Sequence, residues 1–114
     1  GMKTYMAEMA RALVPGGRLY LTTPNSCSLL VFDRWLHHTP AFMSPVHIRE
    51  LTKTEILDLA NPHFTLSQHR TTYCYGLLDG REGSRRAKLL AALEMLGEST
   101  EDRGDNHFFC FKKI

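Results

Sequence analysis

Cysteine, long apolar runs and charge of one sign are all scarce in this sequence of 114 residues. Its three cysteines, Cys27, Cys74 and Cys110, are odd in number and form no CxxC pair. This spacing argues against a disulfide framework and favours a reducing compartment. No apolar stretch approaches the ~20 residues of a membrane span, and we expect neither a membrane anchor nor a signal peptide. The sequence therefore predicts a cytoplasmic globular protein.

The formal net charge of +2 points to no strongly acidic partner. The closest basic residues, Arg81, Arg85, Arg86 and Lys88, are interrupted by Glu82 and are not interleaved with aromatic side chains. A nucleic-acid interface normally combines a clustered basic face with such aromatic residues. We therefore expect no nucleic-acid partner.

Familiar catalytic and metal-binding arrangements are also missing. No Ser-His-Asp order and no paired carboxylates stand out along the chain. His37, His38 and Cys27 are metal-ligand types within one loop, but adjacent histidines do not readily point at one ion. No second Cys or His pair has ligand spacing, so the sequence predicts two loop histidines and no metal.

At this length we expect residues 1–114 to form a single domain, with Gly1 as a tag remnant. The central stretch reads AxxLVPGGRLYLTTPN and predicts a helix over residues 3–13, a tight turn and a strand over residues 18–23. Pro15 and the two glycines after it end the helix and permit a sharp reversal. Pro24 cannot donate to a sheet ladder and therefore ends the strand.

The next segment, residues 26–46, is much longer than the usual two to six residues of such a connection. It contains a predicted short helix over residues 29–36, for which Asn25 or Ser26 is a suitable cap. Long connections above the carboxyl end of a sheet are commonly lids or substrate loops. We expect this one to lie over the end of the first strand and to bring His47 near Asn25.

Local signals define the remaining elements. A capping box over residues 52–55 starts a helix that ends before Pro62. The following elements are a strand over residues 64–75, a helix over residues 84–96 and a last strand around Phe108–Phe111. Because that last strand is apolar on both faces, we expect it to be buried on both sides, inside the sheet.

Three stretches together carry a family resemblance: the AxxLVPGGRLYLTTPN segment, HIRELTKTEILDLANPHFTL and HFFCFKKI. In this order they resemble the carboxy-terminal half of class I S-adenosylmethionine-dependent methyltransferases. The resemblance implies an α/β fold, a three-stranded mixed sheet with flanking helices. It also implies that the last strand lies antiparallel between the other two.

The resemblance further implies methyl transfer to a small molecule in the complete enzyme. The family binds S-adenosylmethionine with a Gly-rich turn between its first strand and helix, and this sequence contains no such turn. We therefore expect weak or no cofactor binding and an inactive chain when alone. The alternative is a non-catalytic methyltransferase-like module that acts through self-association or a partner chain.

Candidate site residues follow in part from this resemblance and in part from side-chain chemistry. Thr23 and Asn25 end the strand that lies near the substrate in the family, although Asn25 is more often simply a helix cap at such a junction. His47 is the candidate catalytic residue, as a proton acceptor, and its alternative role is packing at the mouth of the loop. Trp35 has the flat side chain needed to stack on a substrate, and core packing is its alternative role.

The strand over residues 18–23 is also predicted to lack a neighbour on one side. In the complete family fold this side pairs with a further strand. Apart from Arg18 it has no charged residue and no internal proline to protect an open edge. We therefore expect a homodimer through this strand or through the helix that precedes it.

Overall fold

The computed structural model of the chain describes residues 1–39 and 51–114. In chain order its elements are α1 (Met2–Ala12), β1 (Arg18–Pro24), α2 (Leu29–Leu36), α3 (Lys53–Ala60), β2 (Phe64–Thr72), α4 (Arg85–Met95) and β3 (Asn106–Lys113). The predicted α/β class and the order of elements in the described residues are confirmed. No helix among these residues is long and apolar enough to cross a bilayer.

The turn between α1 and β1 follows the predicted chemistry. Gly16 has a φ of +82°, a conformation that residues with a side chain rarely adopt. A Cβ atom on Gly17 would lie 2.8 Å from the Val14 carbonyl oxygen, so the chain passes too closely there for any other residue. The turn is then held to β3, because the Gly16 N–H donates to the Lys113 carbonyl.

The predicted capping box at the start of α3 is confirmed in both of its hydrogen bonds. The Glu55 N–H donates to the Thr52 hydroxyl at 3.2 Å, and the Thr52 N–H donates to the Glu55 carboxylate at 3.0 Å. These bonds satisfy two groups that a helix terminus otherwise leaves unpaired. They fix the first turn of α3, which forms one wall of the site described below.

The three strands lie in the order β1-β3-β2, and β3 is antiparallel to both neighbours. This confirms the predicted place and direction of the last strand. The prediction of a mixed sheet is wrong, because the insertion of β3 makes every neighbouring pair antiparallel. β1 and β2 run in the same direction but do not pair with each other.

A β-bulge interrupts the pairing of β2 with β3 between Leu66 and Gln68. Leu66 lies opposite Phe111 and Gln68 lies opposite the adjacent Cys110, so Ser67 is the additional residue. Because side chains alternate between the two faces of a strand, one additional residue moves every later side chain of β2 to the opposite face of the sheet. His69 consequently lies opposite Phe109, on the inner face of the sheet.

The strand β2 ends at Thr72, earlier than the predicted residue 75. The N–H groups of Cys74, Tyr75 and Gly76 donate to the Asp105 carboxylate instead of to a neighbouring strand. At this end of the sheet the Asp105 carboxylate therefore takes the place of the carbonyl acceptors that a neighbouring strand would provide.

Two apolar clusters stabilise the fold. The first, which we call the sheet core, lies between the inner face of the sheet and helices α1 and α3, and comprises Met6, Ala10, Leu19, Leu21, Ile56, Ala60, Phe64, Phe109 and Phe111. The second, the helical-pair core, joins α2 to α4 through Leu29, Leu89 and Leu93.

The outer face of the sheet is less covered than predicted. Tyr20 on β1 is 71% exposed, and Phe108 on β3 is half-buried. The prediction that β3 is buried on both sides is therefore wrong at Phe108, although Phe109, Cys110 and Phe111 are buried. An open groove of about 310 Å³ lies on this outer face.

Candidate functional site

Asn25 closes the carboxyl end of β1. Its side chain is 1% exposed and donates from Nδ2 to the carbonyls of Asp102 and Gly104, at 2.8 and 2.9 Å. Its Oδ1 accepts the Cys27 N–H at 3.0 Å. Asn25 therefore fixes the loop before β3 to the end of β1. The cap of α2 is Ser28, whose hydroxyl accepts the Val31 N–H.

A polar cavity of about 230 Å³ lies beside this junction. The end of β1, the first turn of α3 and the loop before β3 all contribute to its walls. Its lining includes Asn25, Cys27, Lys53, Asp102, Arg103 and His107. Both acidic and basic groups surround it, so the cavity suits a hydrogen-bonding ligand better than one of high charge.

An apolar groove of about 310 Å³ adjoins the polar cavity. Cys27 and Arg103 line both, while Phe32, Trp35 and Leu93 line the groove alone. The Arg103 guanidinium donates to the Cys27 carbonyl at 3.0 Å, and this contact holds the shared wall in place. Trp35 is 73% exposed, so its ring is accessible from solvent.

His107 lines the polar cavity and is paired with a second histidine, His69. Nε2 of His69 lies 2.9 Å from Nδ1 of His107, and both rings pack on Phe109. Nδ1 of His69 lies 3.8 Å from a carboxylate oxygen of Asp102. The other oxygen of Asp102 lies 3.5 Å from Nζ of Lys53. His107 is 1% exposed, and its Nε2 has no hydrogen-bond partner in residues 1–39 and 51–114.

Burial determines the charge state of this pair. It is the main reason why the pKa of His107 is lowered to about 4. His69 and Lys53 lower this pKa as well, and Asp102 raises it. Burial also lowers the pKa of His69, again with Lys53 lowering it and Asp102 raising it. Both rings are therefore neutral at pH 7, and each offers one donor and one acceptor nitrogen.

Asp105 is a buried residue that forms hydrogen bonds with backbone groups next to the site. Its side chain is 0% exposed, and its Oδ2 accepts three backbone N–H groups, those of Cys74, Tyr75 and Gly76, at 2.9, 2.6 and 3.1 Å. Its backbone carbonyl accepts the Asn25 N–H at 2.9 Å. Asp105 thus connects the segment after β2 to the end of β1.

The structure brings together some of the residues singled out from the sequence. Asn25 lines the polar cavity and Trp35 lines the adjoining groove. Thr23 is half-buried on β1, directly opposite His107. His47 and residues 40–46 of the expected lid lie outside the described residues, so the proximity of His47 to Asn25 stays a prediction.

Sequence reasoning missed His69 and His107. For His107 a signal was present, because strict alternation along β3 places it on the same face as Phe109 and Phe111. His69 reaches that face only through the bulge, for which the sequence gives no clear sign. The described residues contain no group of three or more His, Cys, Asp or Glu placed to hold a metal ion.

Comparison of the chain with models of known protein families, with curated proteins and with solved structures finds no match.

Proposed function

We propose that this chain is equivalent to the carboxy-terminal half of a class I methyltransferase fold and forms the substrate side of an enzyme that methylates a small molecule. The observation that carries this proposal is the antiparallel insertion of β3 between β1 and β2. The resembled family ends its sheet in this arrangement. The helix, PGG turn and strand that lead into the sheet support the same interpretation.

The position of the two depressions supports a small-molecule substrate. Open α/β sheets bind ligands beyond the carboxyl ends of their strands, and the polar cavity lies at that end of β1. The adjoining groove offers the Trp35 ring for stacking, and Asn25 and Thr23 lie at the strand end. His47 remains our candidate proton acceptor from the sequence.

The described residues do not fit an S-adenosylmethionine site. No described strand passes directly through a Gly-rich turn into a helix; Gly16 and Gly17 lead from a helix into a strand, and residues 73–84 separate β2 from α4. We therefore propose that this chain binds the cofactor weakly or not at all, and that it is inactive alone. The three cysteines are unpaired, which agrees with the proposed cytoplasmic location.

Titration calorimetry tests the proposal on two proteins, this chain and the product of the whole reading frame that encodes it. Where that frame encodes residues before this chain, we expect the longer product to bind S-adenosylmethionine in the micromolar range. We expect this chain to give no heat of binding. Micromolar binding by this chain alone would contradict the proposal that it lacks the cofactor site. A longer product without cofactor binding would contradict the methyltransferase proposal itself.

A second candidate function is a non-catalytic module that self-associates. Among the described strands β1 lies at the edge of the sheet, and Tyr20 projects from it largely exposed. Unpaired edges of this kind are templates for another strand. Two-fold pairing of β1 with its copy would join two three-stranded sheets into one of six strands.

Sedimentation at tens of micromolar tests this homodimer. We expect a dimer for the natural chain and a monomer for Tyr20→Lys, because a charge on the paired edge opposes association. Thr65→Lys, on the opposite edge strand, is the matched control and should remain dimeric. A natural chain that sediments as a monomer would remove the second candidate.

A further inference from the structure

The histidine pair has one preferred arrangement of protons. A hydrogen bond between two neutral imidazoles requires one N–H donor and one bare nitrogen. The Asp102 carboxylate, 3.8 Å from Nδ1 of His69, favours the proton on that nitrogen. Nε2 of His69 is then the acceptor, and Nδ1 of His107 is the donor in the 2.9 Å contact. Nε2 of His107 is consequently left without a proton.

That bare nitrogen belongs to a side chain that lines the polar cavity. Nδ1 of His107 contacts His69, and His107 is among the residues that line the cavity, so Nε2 is its one ring nitrogen still available to a ligand. Nε2 is buried and has no partner within the described ranges. Buried polar atoms in folded proteins are nearly always hydrogen-bonded, so an acceptor in this position indicates a donor from a ligand.

We propose that the polar cavity binds a phenol-type hydroxyl group, which donates its hydrogen bond to Nε2 of His107. His69 and Asp102 are positioning residues that hold His107 in the required tautomer. The apolar groove with Phe32 and Trp35 receives the rest of an aromatic ligand, since the two depressions share a wall. This inference names the substrate class of the proposed methyltransferase and in that sense rests on the proposed function.

The same arrangement provides a path for the hydroxyl proton. When the oxygen loses its proton, Nε2 of His107 receives it in place of the His47 expected from the sequence, and the Nδ1 proton of His107 passes to Nε2 of His69. The single positive charge then resides on His69, beside the Asp102 carboxylate that stabilises it. No group is oxidised or reduced, and Nδ1 of His69 keeps its proton throughout.

The tautomer is directly measurable without any ligand. In a long-range ¹H–¹⁵N spectrum of histidine-labelled chain at pH 7, we expect His107 to show a protonated Nδ1 and an unprotonated Nε2. Asp102→Asn should shift His107 towards the opposite tautomer, because the charge that fixes His69 is removed. The left-handed backbone of residue 102 tolerates this substitution. A protonated Nε2 in the natural chain would overturn the proposal.

Titration with phenol, and with anisole as the matched compound without a hydroxyl proton, tests the ligand class. We expect phenol to shift the His107 Nε2 signal to saturation and anisole to leave it in place. His107→Phe should weaken phenol binding at least tenfold. His63 directly precedes β2 and lines neither depression, so His63→Gln should bind normally. Equal shifts from both compounds, or unchanged binding by His107→Phe, would overturn the proposal. No methyl donor is involved, so a failure of the proposed methyl transfer would leave these results unaffected.

Discussion

The sheet core and the helical-pair core differ in how they are held together. The sheet core unites two helices and all three strands through nine buried apolar residues, whereas the helical-pair core has three. The helical pair depends additionally on polar contacts, such as the Arg85 guanidinium at 2.7 Å from the Asp33 carboxylate. Apolar burial therefore accounts for most of the packing in the sheet region, whereas α2 and α4 are joined by a small apolar cluster together with polar contacts.

The loop before β3 connects the two regions. The Arg103 carbonyl accepts the Leu29 N–H at the start of α2, and Asp105 holds residues 74–76 after β2. Both depressions of the candidate site adjoin this loop. Sites formed between a rigid and a less stable region can adjust to a ligand without disturbing the main core.

The largest expected effect comes from Phe111→Ala in the sheet core. The Phe111 ring is stacked on Phe109 at 5.3 Å and is 1% exposed. Its removal should lower the free energy of unfolding by about 3–5 kcal/mol, as for other buried phenylalanines. Urea denaturation measures this loss. Phe108→Ala, half-buried on the outer face of the same strand, is the control; an equal loss there would contradict the assignment of the core to the inner face.

The next effect should come from Asp105→Ala, which removes the connection between the regions. Three backbone N–H groups lose an ionised acceptor, and hydrogen bonds to charged groups contribute about 1.5–3 kcal/mol each when isolated. Because water replaces part of that loss, we expect a decrease of about 2–4 kcal/mol in the free energy of unfolding. Amide exchange at residues 74–76 should accelerate.

Asp79→Ala is the control for Asp105, because the contacts of Asp79 with Arg81, an ion pair and a hydrogen bond from the Arg81 N–H, are exposed. Such pairs contribute little. We expect no measurable change in stability from this control. Unchanged amide exchange at residues 74–76 in Asp105→Ala would show that the carboxylate does not hold this segment.

The sequence predicted the elements that have local signals better than it predicted the register of the sheet. The PGG turn and the capping box use local chemistry, so α1, β1 and α3 were predicted within a few residues. The antiparallel pairing and the place of β3 followed from its apolar pattern and the family resemblance. Ser67 as a bulge residue was not predictable, because a bulge depends on register with another strand. The site could therefore be predicted at Asn25 and Trp35 but not at His69 and His107.

A smaller and more local effect is expected from Leu93→Ala in the helical-pair core. Leu93 is buried against α2, and its truncation should lower stability by about 2–3 kcal/mol, at the low end for leucine because few neighbours surround it. Amide exchange should accelerate in α2 and α4 and remain unchanged in the three strands. Equal acceleration throughout the sheet would show that the two regions unfold as one cooperative unit.

The smallest expected effect is the pH dependence of the sheet region, and it arises from His69 and His107. Burial lowers both pKa values, that of His107 to about 4, while the unfolded chain takes up these protons near pH 6.5. The groups that face the pair are Lys53 on α3 and Asp102 in the loop before β3, and they act in opposite directions. Between pH 6.5 and 4 the unfolded state therefore binds more protons than the folded state. The free energy of unfolding contributed by the neutral pair is fully present above pH 6.5 and decreases as the pH falls.

We expect this decrease to be on the order of 1–2 kcal/mol in urea denaturation, after allowance for relaxation around a charged ring, since one pKa unit corresponds to ~1.4 kcal/mol. Carboxylates also titrate near pH 4, so the informative quantity is the difference between the natural chain and His107→Phe, which lacks one of the two groups. The variant should have a flatter profile between pH 6.5 and 4, and His63→Gln should follow the natural chain. Parallel profiles for the natural chain and His107→Phe would show that this ring is not held in its neutral form, and would weaken its role as an acceptor in the cavity.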